Sequence, residues 1–231
     1  MKTVLITGAN RGIGLEHARA FTARGVHVLA TAREPAEAQD LQQLKTSHPH
    51  LVTLLPYDAA KPEAPAQLKA AVGNTPIDLL LANAGAMGGA QQSFGSVDVD
   101  DTLQLLRINS LAPLKVVEAL VDNIATSGKK LVAMQSSQMG SIADNSSGGY
   151  YAYRLSKVAL NMVAKQLSND LRARKVTVVA LHPGWVKTRM GGQGAPLSAQ
   201  QSVAGQQQLF ERLGLADSGR FFNFDGRELP W

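Results

Sequence analysis

At 231 residues with 45% hydrophobic content, the chain suits one domain with a large core; two domains would each be small. The net charge of +5 comes from scattered bases, grouped only briefly at Lys129-Lys130 and Arg172 to Lys175, which disfavours a nucleic-acid stripe, so no nucleic-acid partner is expected. Zero cysteines exclude disulfides and thiolate chemistry, the five histidines lack ligand spacing, and no apolar run approaches the ~20 residues that span a bilayer, so the expectation is a cytoplasmic protein with no metal and no membrane partner.

The chain opens with an apolar strand-like run at 3–6, then Thr7-Gly8-Ala9-Asn10-Arg11-Gly12-Ile13-Gly14, then a helical pattern starting near Ile13. A strand, a glycine-rich turn and a helix N-terminus form a cradle for a dinucleotide pyrophosphate, because free N–H groups and the positive dipole end face the phosphates. Gly8 would make the turn, Gly12 would allow close approach, and Gly14 would let the helix pack on the strand. The spacing differs from the commoner G-x-G-x-x-G, and a glycine-rich turn by itself is equally a plain strand-to-helix connection.

Further strand-like runs follow at 26–31, 51–55, 77–81, 131–135 and 176–181, with a last one at 219–223. Helical patterns separate them, and the longer ones lie at 102–125, 152–174 and 198–213. The strands are near-continuous Val/Leu/Ile/Ala runs, as parallel strands covered on both faces require. This βαβα alternation predicts an α/β fold: a single doubly wound, mostly parallel sheet of about seven strands with helices on both faces, spanning 1–231 as one domain. Ligands in such sheets bind beyond the carboxyl ends of the strands. Those ends carry Ala32-Arg33, Asp58-Ala59, Asn83-Ala84-Gly85, Ser136-Ser137 and His182-Pro183-Gly184.

Tyr153 and Lys157 are four positions apart in a predicted helix and therefore project from one face. A phenol titrates near ~10, and a nearby lysine cation would lower that value towards working pH. So tuned, it can protonate a developing alkoxide or, in reverse, accept a proton from an alcohol. The isolated pair also fits a half-buried tyrosine beside a snorkelling lysine, and only context separates the two.

That context resembles the short-chain dehydrogenase/reductase family over the whole chain. Thr7 to Gly14 matches its T-G-x-x-x-G-x-G motif, Asn83-Ala84-Gly85 its N-A-G motif, and Asn109 its helix asparagine. Ser136-Ser137 with Gly140 matches S-S-x-x-G, Tyr153 to Lys157 matches Y-x-x-x-K, and Pro183-Gly184 matches the P-G turn. Ser136 to Lys157 and the ending Ser218 to Gly226 with Pro230-Trp231 look most like the C-factor and sniffer-type carbonyl reductase branch.

The resemblance implies a Rossmann fold with a catalytic tetrad of Asn109, Ser137, Tyr153 and Lys157. Tyr153 would be the acid or base, Lys157 would lower its pKa and bind the nicotinamide ribose, and Ser137 would hold the substrate oxygen. Asn109 would interrupt its helix and help a water connect Lys157 to solvent. Ser137 lies 16 positions before Tyr153, further than in many relatives, and Ser141 is the alternative. The cofactor-binding set would be Gly8, Asn10, Arg11, Gly12, Ile13, Gly14, Arg33, Asp58, Asn83, Ala84, Gly85, Tyr153, Lys157, Pro183, Gly184, Val186 and Thr188.

NAD sites place an acid after the second strand, whereas NADP sites place bases there for the 2′-phosphate. With Arg33 after that strand, no acid until Glu34, and Arg11 inside the glycine motif, NADP(H) is the expected cofactor and NAD(H) the alternative. Substrate side chains are expected from the loops at about 87–94, 138–150 and 185–197, where Met139, Tyr150 and Trp185 point to an apolar carbonyl or alcohol substrate, and the loop at about 185–200 reads as a lid. Three functions fit: a carbonyl reductase, an alcohol dehydrogenase running the other way, and a dinucleotide-binding regulatory protein. Pairing through the helices at 102–125 and 152–174 would give a homodimer or homotetramer.

Overall fold

The computed structural model describes residues 1–231. The apolar runs form seven strands: β1 Thr3–Ile6, β2 His27–Ala32, β3 Val52–Pro56, β4 Leu79–Ala82, β5 Leu131–Gln135, β6 Thr177–His182 and β7 Phe221–Asn223. They make one sheet in the order β3-β2-β1-β4-β5-β6-β7, parallel at every pairing. The α/β architecture expected from the sequence is therefore present. Small shifts in strand bounds follow from the ladder, which carries β2 on to Ala32 because that residue pairs with Pro56.

Seven helices cover the sheet: α1 Gly12–Ala23, α2 Gln39–Ser47, α3 Ala64–Val72, α4 Val99–Leu106, α5 Ala112–Ala125, α6 Tyr151–Asp170 and α7 Ala199–Arg212. Alternate strand residues feed two cores. On one face Leu5, Leu80, Val132 and Val178 pack with Leu68 of α3, Val116 and Leu120 of α5 and Leu160 of α6. On the other, Val4, Leu79, Leu81 and Val179 pack with Leu15 and Phe21 of α1, Leu41 of α2 and Phe210 of α7. Each such side chain contributes about 1.5–3 kcal/mol of transfer free energy, so both faces must stay covered for the sheet to persist.

Two helices differ from the sequence expectation. The pattern at 102–125 is broken into α4, a π turn at Arg107–Leu111, and α5. Pro113 lacks the N–H that would bond the carbonyl of Asn109, and the ladder widens over that stretch. The pattern at 152–174 ends as α6 at Asp170, followed by a 3-10 turn Arg172–Arg174 and a left-handed Lys175 with φ 58°. No helix is long and apolar enough to cross a membrane.

The strand order reverses at β1, which has β2 on one side and β4 on the other. A crevice opens there at the carboxyl ends, and the loops after β1, β2, β4, β5 and β6 converge on it.

Candidate active site

The first wall of the crevice is built from main chain. After β1 the chain turns at Gly8, whose φ of +66° suits glycine, and its N–H donates to Thr31 Oγ1 at 3.2 Å. Thr7 Oγ1 accepts the N–H groups of Asn83 and Ala84, each at 3.0 Å. Asn83 Nδ2 in turn donates to the carbonyls of Thr7 and Gly8, both at 3.0 Å. Gly14 lies where α1 meets this lattice: a Cβ there would sit 2.3 Å from Gly8 O and 2.6 Å from Asn83 Nδ2. Only glycine lets the helix come this close.

The turn also has the electrostatics of an anion cradle. No side chain caps the start of α1 and no acid lies in its first turn. Arg11 at that N-cap and Arg33 just after β2 are both exposed, and neither is in an ion pair. Asn10 and Ile13 are half-buried in the same turn. Asp58, after β3, accepts the N–H of Ala60 at 3.0 Å and so also acts as a turn aspartate.

The loop after β6 closes the opposite side. Pro183 O accepts the hydroxyl of Ser202 on α7 at 2.6 Å, and Gly184 is packed where a Cβ would meet Leu197 Cδ1 at 2.4 Å. Val186 is buried and bridges to Leu197, while the Lys187 N–H donates to Leu197 O at 2.8 Å. Trp185 Nε1 donates to Gly191 O at 2.8 Å, so the segment expected as a lid is folded on itself. It also approaches the glycine turn, for a Cβ on Gly12 would meet Thr188 Cγ2 at 3.4 Å.

The third wall is made of side chains. Ser137, two residues beyond β5, is the N-cap of the 3-10 turn Gln138–Gly140, and its oxygen accepts the Met139 N–H at 3.1 Å. Tyr153 and Lys157 project from the first two turns of α6, both buried. Lys157 Nζ lies 5.7 Å from the centre of the Tyr153 ring and donates to Gln135 O at 2.9 Å. Asn109, in the π turn, accepts the Ala86 N–H and donates to Ala86 O and Ser156 Oγ, each at 2.9 Å. Gly85 fits between them: a Cβ there would come within 3.1 Å of Asn109 Oδ1 and 3.8 Å of Lys157 Nζ. The four residues expected as a tetrad thus share one buried corner. Ser141 instead uses its hydroxyl to accept the Asp144 N–H at 3.0 Å.

Electrostatics in this corner corrects one expectation. Burial pushes the Tyr153 phenol above its ordinary value, and only the Ser137 hydrogen bond pulls the other way. The four-residue spacing alone predicts that the lysine lowers it. The cost of a buried phenolate outweighs an ammonium that is turned towards the Gln135 carbonyl. Burial also lowers Lys157 to about 8 and His182, at the end of β6, to about 4.

Gln92 lies in the 87–94 loop expected to meet substrate, but its sequence carries no signal of a role of its own. It is buried in the loop after β4, and its Oε1 accepts the backbone N–H of Tyr153 at 2.9 Å. Nothing local flags it, since its partner lies 61 positions away. Together with Met87, Gly89, Ala90, Ser93, Gly149 and Tyr150, it lines a cavity of about 390 Å³ at the start of α6. Of the expected substrate side chains, Tyr150 is on this cavity, whereas Trp185 belongs to the folded loop after β6.

The family model described as short chain dehydrogenase matches residues 2–196. The C-signal protein of Myxococcus xanthus is 44% identical over 156 residues, covering 68% of this chain and 93% of that one. The structure of carbonyl reductase Sniffer of D. melanogaster superposes with a TM-score of 0.94 at 33% identity, covering 100% of both chains. That of the NADPH-bound carbonyl reductase from chicken fatty liver gives 0.93 at 32% identity, covering 100% of this chain and 99% of that one. The glycine turn, the Asn-Ala-Gly loop and the Tyr153–Lys157 helix stand together in one crevice, and the chain belongs to the short-chain dehydrogenase family of oxidoreductases.

Proposed function

We propose that the protein is an NADPH-dependent carbonyl reductase in which Tyr153 is the general acid. The observation that carries this reading is the buried group of Ser137, Tyr153 and Lys157 beside a glycine turn edged by two unpaired arginines. The backbone at Gly8, Asn10, Gly12, Ile13 and Gly14 would hold the pyrophosphate, with Arg11 and Arg33 on the 2′-phosphate. Asp58, Asn83, Ala84, Gly85, Pro183, Gly184, Val186 and Thr188 would line the remainder of the dinucleotide, and Lys157 would reach the ribose. When bound there, the reduced cofactor would supply the hydride that carbonyl reduction needs.

The chain's own residues manage the oxygen. Tyr153, with its pKa raised, keeps its proton at neutral pH and can donate it to the developing alkoxide. The Ser137 hydroxyl shares that charge as a second donor. Lys157, lowered only to about 8, remains a cation at neutral pH and stabilises the phenolate left behind. Asn109 fixes the Ala86 loop against α6 and so holds the corner in shape. The residues that line the cavity at Met87 and Tyr150 are uncharged, which suits a neutral, largely apolar carbonyl compound. The chain works as one domain, its 185–200 loop covering the cofactor. Exposed Val99, Leu103, Leu155 and Met162 on α4 and α6 offer a face for a homodimer or homotetramer.

The test is NADPH oxidation by the purified protein with menadione, benzaldehyde and aromatic diketones, with NADH alongside. Turnover favouring NADPH supports the reading; no turnover on any of them contradicts it. The likeness to C-signal favours a second reading, a dinucleotide-binding regulator. It predicts tight NADPH binding without turnover.

A further inference from the structure

Helix α6 begins abruptly. Its N-cap, Tyr150, is left-handed at φ 53° and ψ 37°, and no side chain of the helix's own segment caps it. A helix start leaves four N–H groups without partners inside the helix, and a buried start needs them supplied from elsewhere. Here one residue supplies two of them. The Gln92 carbonyl accepts the Tyr151 N–H at 3.0 Å, and Gln92 Oε1 accepts the Tyr153 N–H at 2.9 Å. The same side chain holds the loop on its other side: Nε2 donates to Met87 O and Gly89 O, both at 2.8 Å. Gln92 is only 4% exposed and its bond to the Tyr153 N–H is buried, so losing that partner is costly.

This loop carries part of the cavity wall, while the helix carries the reactive phenol. Gln92 joins the two through one carboxamide. The loop is pinned again by Asp101 of α4, whose Oδ2 accepts the Gly89 N–H at 2.8 Å. A displacement of Met87 or Gly89 therefore passes to the first turn of α6, because the Tyr153 N–H is held by the Gln92 side chain, while the Ser156 hydroxyl holds only the Tyr153 carbonyl from within the helix.

We infer that Gln92 is a positioning residue, which fixes the backbone of Tyr153 and sets the distance between the substrate loop and the phenol. This rests on the reading of Tyr153 as the acid. The carboxamide suits the task because it accepts at one end and donates at the other. Leucine of similar size does neither. Glutamate does both only while protonated; ionised, it faces two carbonyl oxygens without a proton to give.

The test compares wild type, Gln92→Leu, Gln92→Glu and Tyr153→Phe in the full chain, with NADPH and menadione across about pH 5 to 9. The expected result is that Gln92→Leu loses at least about tenfold in kcat, a small misplacement of the acid being enough for that. Its NADPH dissociation constant, read by fluorescence, stays within about twofold, since the Gln92 side chain hydrogen-bonds none of the residues assigned to the dinucleotide except the Tyr153 backbone. Gln92→Glu recovers kcat towards acid pH and falls away as its carboxyl ionises. Amide hydrogen exchange reads the same contact without turnover, and the Tyr153 N–H exchanges at least about tenfold faster in Gln92→Leu. Unchanged kcat in Gln92→Leu, equal impairment of both variants at every pH, or equal amide protection overturns the inference. Full turnover in Tyr153→Phe overturns the reading beneath it instead.

Discussion

Around β1 and β2 the candidate groups are main-chain N–H groups and two exposed arginines; around β5 and α6 they are side chains shut away from water. Arg11 and Arg33 are exposed and outside any ion pair, so in the proposed function they would confer cofactor preference with little strain on the fold. Tyr153 and Lys157 are desolvated permanently, which shifts their proton affinities in opposite directions and stores a bias that a reaction can use. Recognition needs accessible charge, and proton transfer needs buried charge. One sheet provides both by placing them on opposite sides of the strand reversal at β1.

That division can be broken from either side. Lys157→Met should cost about a hundredfold or more in kcat, because it removes the cation beside the phenol. Steady-state kinetics at saturating NADPH checks it, and a loss confined to KM would place Lys157 among the binding groups only.

Acid stability probes buried charge elsewhere in the same fold. His17 is fully buried, stacked beside Phe21 at 5.9 Å and bonded through Nε2 to Gln206 Oε1 at 3.0 Å. Burial lowers its pKa from 6.5 to about 4, so as pH falls the unfolded chain takes up the proton first. The stability His17 contributes is complete above about pH 6.5 and is lost down to about pH 4, on the order of 3 kcal/mol. Urea unfolding of wild type and His17→Gln at pH 7.5 and pH 5 would show it as a shallower acid slope in the variant. Identical slopes would remove His17 from the account.

Arg33→Ala is the milder break. It should weaken NADPH on the order of ten- to a hundredfold, the worth of a charge-assisted contact, while NADH affinity and kcat stay near wild type. Calorimetric titration with both cofactors separates the two. Equal loss for NADH and NADPH would mean that the arginine holds the adenosine, not the 2′-phosphate.

The two regions also differ in how much of them the sequence discloses. Strand runs and the glycine turn are legible because local composition dictates them: parallel strands covered twice must be apolar throughout, and Gly14 must lack a Cβ wherever α1 presses on Gly8. Tyr153 and Lys157 are legible as a pair by their helical spacing. What stays hidden depends on distant partners. The unbroken Leu, Ile and Val periodicity conceals the π turn, although Pro113 is a visible signal for it. Gln92 sits in a glycine-rich loop with no pattern of its own and acquires its place only when α6 folds over it. The raised phenol was equally out of reach, because spacing shows that a cation is near and says nothing about how dry the pair is.

The central claim is a tyrosine-dependent proton transfer, and kcat of Tyr153→Phe with NADPH and menadione, measured with the NADPH dissociation constant, tests it most directly. The account predicts a fall in kcat on the order of a hundredfold to ten-thousandfold with the dissociation constant nearly unchanged. Wild-type turnover in the variant would contradict it and move the acid to another group in the crevice.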